Sequence, residues 1–170
     1  LEEASRVAPE SSLVNTMWGE LFSATKQFAS AVAAYRRALK ADPDNWEARC
    51  NLGFLLSQAG HPAEALAEFD AGLKTRPGNA HLLRNRAGAL KTLGRFEEAR
   101  SALAKALESA PDDPALHRQL GELLLFSMDR HEEAVRELRR SLDLGCDPDD
   151  DAVQVRENLG VALLRSGHSE

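Results

Sequence analysis

Residues 46–79 read WEARCNLGFLLSQAGHPAEALAEFDAGLKTRPGN. Small residues stand at Gly53, Ala65 and Gly72, larger apolar ones at Leu52, Leu56, Phe69 and Leu73, and Pro77 closes the stretch. The flanking sequence repeats this plan. Tyr35, Ala38 and Pro43 share the mutual spacing of Phe69, Gly72 and Pro77, and of Leu103, Ala106 and Pro111. A fixed period of this length is the signature of stacked repeats. Such arrays grow by adding units around no single central core. The 170 residues therefore need not form one or two ordinary domains.

Working outward divides a single array, residues 1–170, as follows. Residues 1–11 end a preceding unit, because Leu1, Ala4 and Pro9 match Tyr35, Ala38 and Pro43. Full units follow at 12–45, 46–79, 80–113 and 114–151, and 152–170 opens another. Within each, two apolar stripes at three- and four-residue spacing predict two amphipathic helices, about ten in all. Gly60 and Gly94 suit the left-handed position ending a helix, and Pro62 suits a first helical turn. The fourth unit slips. Leu124 to Ala134 is one residue longer than Leu90 to Ala99, which predicts a longer turn around Met128–His131. A longer loop is expected over Gly145–Asp151.

Glycine inside a helix costs about 1 kcal/mol relative to alanine. Gly19, Gly53, Gly121 and Gly160 nevertheless occupy one repeat position, with Ala87 in the same place. Ala31, Ala65, Ala99 and Ala134 hold the matching place on the second helices. The expectation is that these small residues face each other and let two helix axes approach closely. Short turns then make consecutive helices antiparallel neighbours.

These residues resemble the tetratricopeptide repeat family, with its pattern W-x2-L-G-x2-Y…A-x3-F…P. The first unit supplies Trp18, Gly19, Phe22, Ala31, Tyr35 and Pro43; the second, Leu52, Gly53, Leu56, Ala65, Phe69 and Pro77. The third supplies Arg86, Ala87, Leu90, Ala99, Leu103 and Pro111, and the fourth Leu120, Gly121, Leu124, Ala134 and Leu138, with Pro148 displaced. Arg86 departs from the expected leucine, and Asn15 and His117 from an expected aromatic. Polar ends bending toward solvent, or local softness, are expected there. The resemblance implies an all-α, right-handed superhelical solenoid of antiparallel helix pairs. It also implies a protein-protein interaction scaffold that binds an extended peptide or a partner helix in a concave groove lined by the first helices. The alternative is the substrate-recruiting repeat region of a larger enzyme, such as an O-linked N-acetylglucosamine transferase.

The totals restrict function further. A net charge of −6 argues against nucleic acid, which needs a basic surface. No apolar run approaches the roughly 20 residues of a membrane span, so no membrane insertion is expected. No signal-peptide pattern stands at Leu1–Ser11. A soluble protein is expected, with the cytoplasm favoured. Cys50 and Cys146 are too few and too far apart for a disulfide framework. No histidine has metal-ligand spacing. Neither a nucleophile elbow nor a phosphate loop occurs, so no catalytic residue and no cofactor is expected in this segment. Apolar residues on several faces of the last helix make end-to-end self-association a further expectation.

The candidate site comes from one column of the repeat. The residue before the L-G place is Met17, Asn51, Asn85, Gln119 and Asn158. A carboxamide donates and accepts, so it can pair with a peptide backbone without reading side chains. Asn51, Asn85, Gln119 and Asn158 are similar to the asparagine ladder of O-linked N-acetylglucosamine transferases. One place earlier stand Arg84 and Arg118, which with Lys91 and His81 make a positive spot suited to a carboxylate. The clamp of chaperone-binding tetratricopeptide domains is not supplied by Thr16, Glu20, Asn51, His81 and Asn85.

Overall fold

A computed structural model describes residues 11–145 and 151–167. Among them lie nine α-helices and no strand. These are α1 (Ser12–Ala24), α2 (Phe28–Ala41), α3 (Trp46–Gln58), α4 (Pro62–Thr75), α5 (Ala80–Thr92), α6 (Phe96–Ser109), α7 (Pro114–Ser127), α8 (His131–Asp143) and α9 (Asp151–Arg165). The expected helix end over 1–8, the expected loop around Pro148 and the thiol of Cys146 lie outside the described residues.

The chain divides into two compact units, Leu1–Ala89 and Leu90–Glu170. In the first, α1 packs on α2, α2 on α3 and α3 on α4, and α1 also meets α3. Ala31, Tyr35, Ala38, Ala48, Leu52 and Leu55 form one core there, flanked by Phe22, Val32, Leu39 and Leu56. In the second, α7 packs on α6, α8 and α9, and α8 on α9. Leu116, Leu123, Leu124, Leu125, Leu138 and Val155 are among its fully buried side chains.

The helix turns share one device. Each needs a residue in the left-handed region: Gly60 at φ 82° and Gly94 at φ 73°, as the sequence predicts, but Lys26 at φ 59° and Asp129 at φ 52° elsewhere. The next backbone N–H then closes over the helix end. His61 donates to the Leu56 carbonyl at 2.9 Å and Arg95 to the Leu90 carbonyl at 2.9 Å. In the fourth unit Arg130 donates to the Leu124 carbonyl at 2.9 Å, one residue further back. The inserted residue is absorbed in the turn, and α8 starts in the common phase.

The repeat glycines do bring helices close, and the nearest atoms across the gap belong to large side chains. A Cβ at Gly53 would stand 2.5 Å from Phe69 Cε1, and one at Gly121 2.7 Å from Leu138 Cγ. At Gly19 it would strike the Tyr35 ring. Each of these three glycines thus makes room for a large buried residue of the second helix. Ala31, Ala65 and Ala134 are all fully buried on the second helices. A Cβ at Gly160 would meet nothing within 4 Å.

The departures from the pattern are paired rather than soft. Asn15 is buried; its amide donates to the Ser11 carbonyl and accepts from Arg37. Arg86 donates to Asp70 at 2.6 Å. Arg49 links the Pro43 carbonyl to Glu68, and His117 links the Pro111 carbonyl to Glu137 in the same way.

Asn45 shows how neighbouring pairs are tied. Its Oδ1 accepts from the Ala48 N–H at 2.9 Å, capping α3. Its Nδ2 donates to Ser12 Oγ at 2.8 Å and Thr16 Oγ1 at 3.1 Å on α1. Asn79 caps α5 by the same bond to Leu82, with no such second role in the described residues. A cap is worth about 1 kcal/mol, and each further hydrogen bond about 0.5–1.5 kcal/mol. Asn45→Ala is therefore expected to lower stability by about 2 kcal/mol, more than Asn79→Ala. Denaturant titration of both variants checks this; equal losses would remove the second role.

Candidate functional site

The carboxamide column falls partly in each compact unit. In the first unit, α3 and α5 both follow a helix running the other way, so they run parallel. Asn85 Nδ2 on α5 donates to Cys50 Sγ on α3 at 3.2 Å. This bond links the two helices. The Asn51 amide, on the same stretch of α3, lies within reach of the Tyr35 hydroxyl. Burial and the nearby Glu20 carboxylate push that hydroxyl up to about 12, with the Asn51 amide acting in the opposite sense. Glu20 on α1, Asn51 and Cys50 on α3, and Asn85 and Arg84 on α5 therefore form one row, with Tyr35 reaching it from α2.

Asn51 and Asn85 are half-buried. Asn85 gives one N–H to sulfur and retains its oxygen and second N–H for another partner. Cys50 itself is buried, a free thiol beneath the row. Burial pushes its pKa up, against the Asn85 hydrogen bond and the Arg84 charge, so it stays a thiol and not a nucleophile.

Arg84 differs from the other half-buried arginines of its unit. Arg49 pairs with Glu68 and Arg86 with Asp70. Arg84 has no ion pair among the described residues and lies close enough to Cys50 to influence its thiol. In the second unit the corresponding Arg118 donates to Glu122 at 3.4 Å, so its charge is already answered. Gln119 beside it is half-buried. Asn158, expected on an open face, is instead only 5 % exposed and accepts from Gln154 at 3.2 Å.

Two residues of the row escaped the sequence reading. Phe54 lies one turn beyond Cys50 and is 47 % exposed. Gly88 lies one turn beyond Arg84, is exposed, and a Cβ there would meet nothing within 4 Å. Glu20, Phe54 and Gly88 hold one repeat position, 34 residues apart, so aligning the units would have exposed the column.

Elsewhere, an open cleft of about 450 Å³ between α2, α3 and α4 has Leu39, Leu52 and Leu56 as its floor. Arg49 on its wall is occupied by Glu68. Among the described residues no group of His, Cys, Asp and Glu side chains could hold a metal ion. Nor is any described helix long and apolar enough to cross a membrane.

The helix pairs, their glycine contacts and their left-handed turns define an all-α helical repeat protein. The chain belongs to the tetratricopeptide repeat family, whose pattern it matches over residues 23–87 and 56–123. Solved structures agree on the fold. MamA superimposes with a TM-score of 0.80 at 21% identity, over 94% of this chain and 85% of MamA. YrrB, described as a TPR protein with an unusual peptide-binding site, gives 0.78 at 21%, over 99% and 84%. PilW, a type IV pilus biogenesis factor, gives 0.82 at 24%, over 98% and 79%. No curated protein matches the sequence. The fold class expected from the sequence, a tetratricopeptide-type helix-pair solenoid, is the one these structures have.

Proposed function

We propose that the chain is a protein-interaction scaffold that holds an extended peptide along the row formed by α1, α3 and α5. The observation that carries this reading is the pair Asn51 and Asn85. They are neighbouring, half-buried amides with hydrogen-bonding capacity left over, and Arg84 stands beside them without a carboxylate. An amide that donates and accepts matches the alternating carbonyl and N–H groups of an extended backbone. Parallel first helices repeat this offer once per unit. YrrB, of the same fold, is described as having a peptide-binding site.

The reading keeps Asn51, Asn85 and Arg84 from the sequence-derived set. Gln119 and Arg118 belong to the other compact unit, where Arg118 is engaged by Glu122. Asn158 takes no part.

The test is selection from a random displayed dodecapeptide library, followed by titration of the enriched peptides. Each amide contact is worth about 0.5–1.5 kcal/mol. Asn51→Ala combined with Asn85→Ala is therefore expected to weaken binding about tenfold, at roughly 1.4 kcal/mol per decade. Arg84→Ala should lower the salt dependence of association. A library that yields no specific peptide overturns the reading, as does a double variant that binds as tightly as the parent.

A further inference from the structure

We propose that Phe54, Gly88 and Arg84 form a selective subsite within that row, one that takes an apolar side chain lying next to a carboxylate in the bound peptide. The inference rests on the peptide-binding reading above and specifies its ligand.

The Asn85–Cys50 bond fixes α5 against α3. One helical turn further along both helices, about 5.4 Å, stand Phe54 on α3 and Gly88 on α5. The Phe54 ring is 47 % exposed. Gly88 presents bare backbone, and the space above it is open to at least 4 Å from an added Cβ. At the same helical level, the exposed ring and the open place would together make a slot with one apolar wall. An incoming apolar side chain would cover the ring and remove both apolar surfaces from water.

Charge sets the orientation. Arg84 lies one turn before Gly88 on α5, with no ion pair among the described residues, and a guanidinium fork suits a carboxylate. Glu20, at the opposite end of the same column on α1, is exposed and repels an acid. A carboxylate is thus favoured on the α5 side and disfavoured on the α1 side. An aspartate, a glutamate or a peptide C-terminus would meet this requirement equally.

Gly88→Leu fills the slot without touching the amides, and its open surroundings leave the fold undisturbed. Peptides enriched from the dodecapeptide library by the parent protein are expected to carry an apolar residue within two positions of an acid or of the C-terminus. For one such peptide, Phe54→Ala and Gly88→Leu should each weaken binding about tenfold, as removal of an anchor pocket does. Replacing the peptide's apolar residue by serine should then cost little more in those variants. Arg84→Gln should lower affinity for the acidic peptide and leave its amide analogue unchanged. Peptide selection without the apolar-acid pair overturns this subsite and leaves the peptide-binding reading standing. The same holds if Gly88→Leu binds like the parent with unchanged circular dichroism. A library that yields nothing overturns both.

Discussion

Gly53→Leu is expected to unfold the helix pair α3–α4 under conditions where the parent is folded. The first carbon of any side chain there would lie 2.5 Å from Phe69 Cε1 and 2.8 Å from Phe69 Cζ. Neither atom can yield, because Phe69 is fully buried on the facing helix. Forcing extra carbons into a packed core costs about 1–3 kcal/mol, and here three more atoms follow the first. Leucine would recover about 1 kcal/mol of helix propensity lost to glycine, which is too little to offset the clash. Gly88→Leu is the matched control, since the same exchange at an open site adds propensity without a clash. Urea melts of the two variants should move in opposite directions. A Gly53→Leu midpoint equal to that of the parent would remove the close-packing account.

Phe69→Ala should cost still more, about 3–5 kcal/mol, the range for truncating a buried aromatic. Domains of this kind are stable by only about 5–15 kcal/mol, so a large share of that margin goes. In a repeat array each pair contacts only its neighbours. The loss should therefore appear as a partial fall in helical circular dichroism ahead of the main melt. The two positions share one space, so their effects will not add. With the ring gone, Gly53→Ala gains room for its methyl. In the Phe69→Ala background it is expected to stabilise, whereas in the parent it destabilises. The same sign in both backgrounds would show that the contact does not govern the site.

The period made the helices readable, because spacing along one chain is a local property. The contacts between helices were less readable. Repeat position places Gly53 and Ala65 along their helices, but it does not name Phe69 as the side chain nearest to Gly53. Turn chemistry was legible where glycine marked it. At Lys26 and Asp129 side-chain-bearing residues accept φ of 59° and 52°, a cost that the closing hydrogen bonds offset. The binding row was half legible. Amide spacing pointed to Asn51 and Asn85, but Phe54 was hidden, because an aromatic at helical spacing is ordinarily read as core. Asn158 shows the opposite limit. Its sequence neighbours mimic the column, yet burial is decided by how α9 packs on α7 and α8.

Asn45 joins two events that stay separate at Asn79 among the described residues. Its oxygen starts α3 and its nitrogen holds α1, so α1 cannot lift away without loosening the first turn of α3. Opening of the array from this end therefore stops being a one-helix fluctuation. The Ala48 amide proton, bonded to Asn45, becomes a remote reporter on the seating of α1. Its hydrogen-exchange rate should rise when Thr16 or Ser12 loses its hydroxyl, although neither touches α3's backbone. The equivalent amide of Leu82, capped by Asn79, should exchange at its former rate.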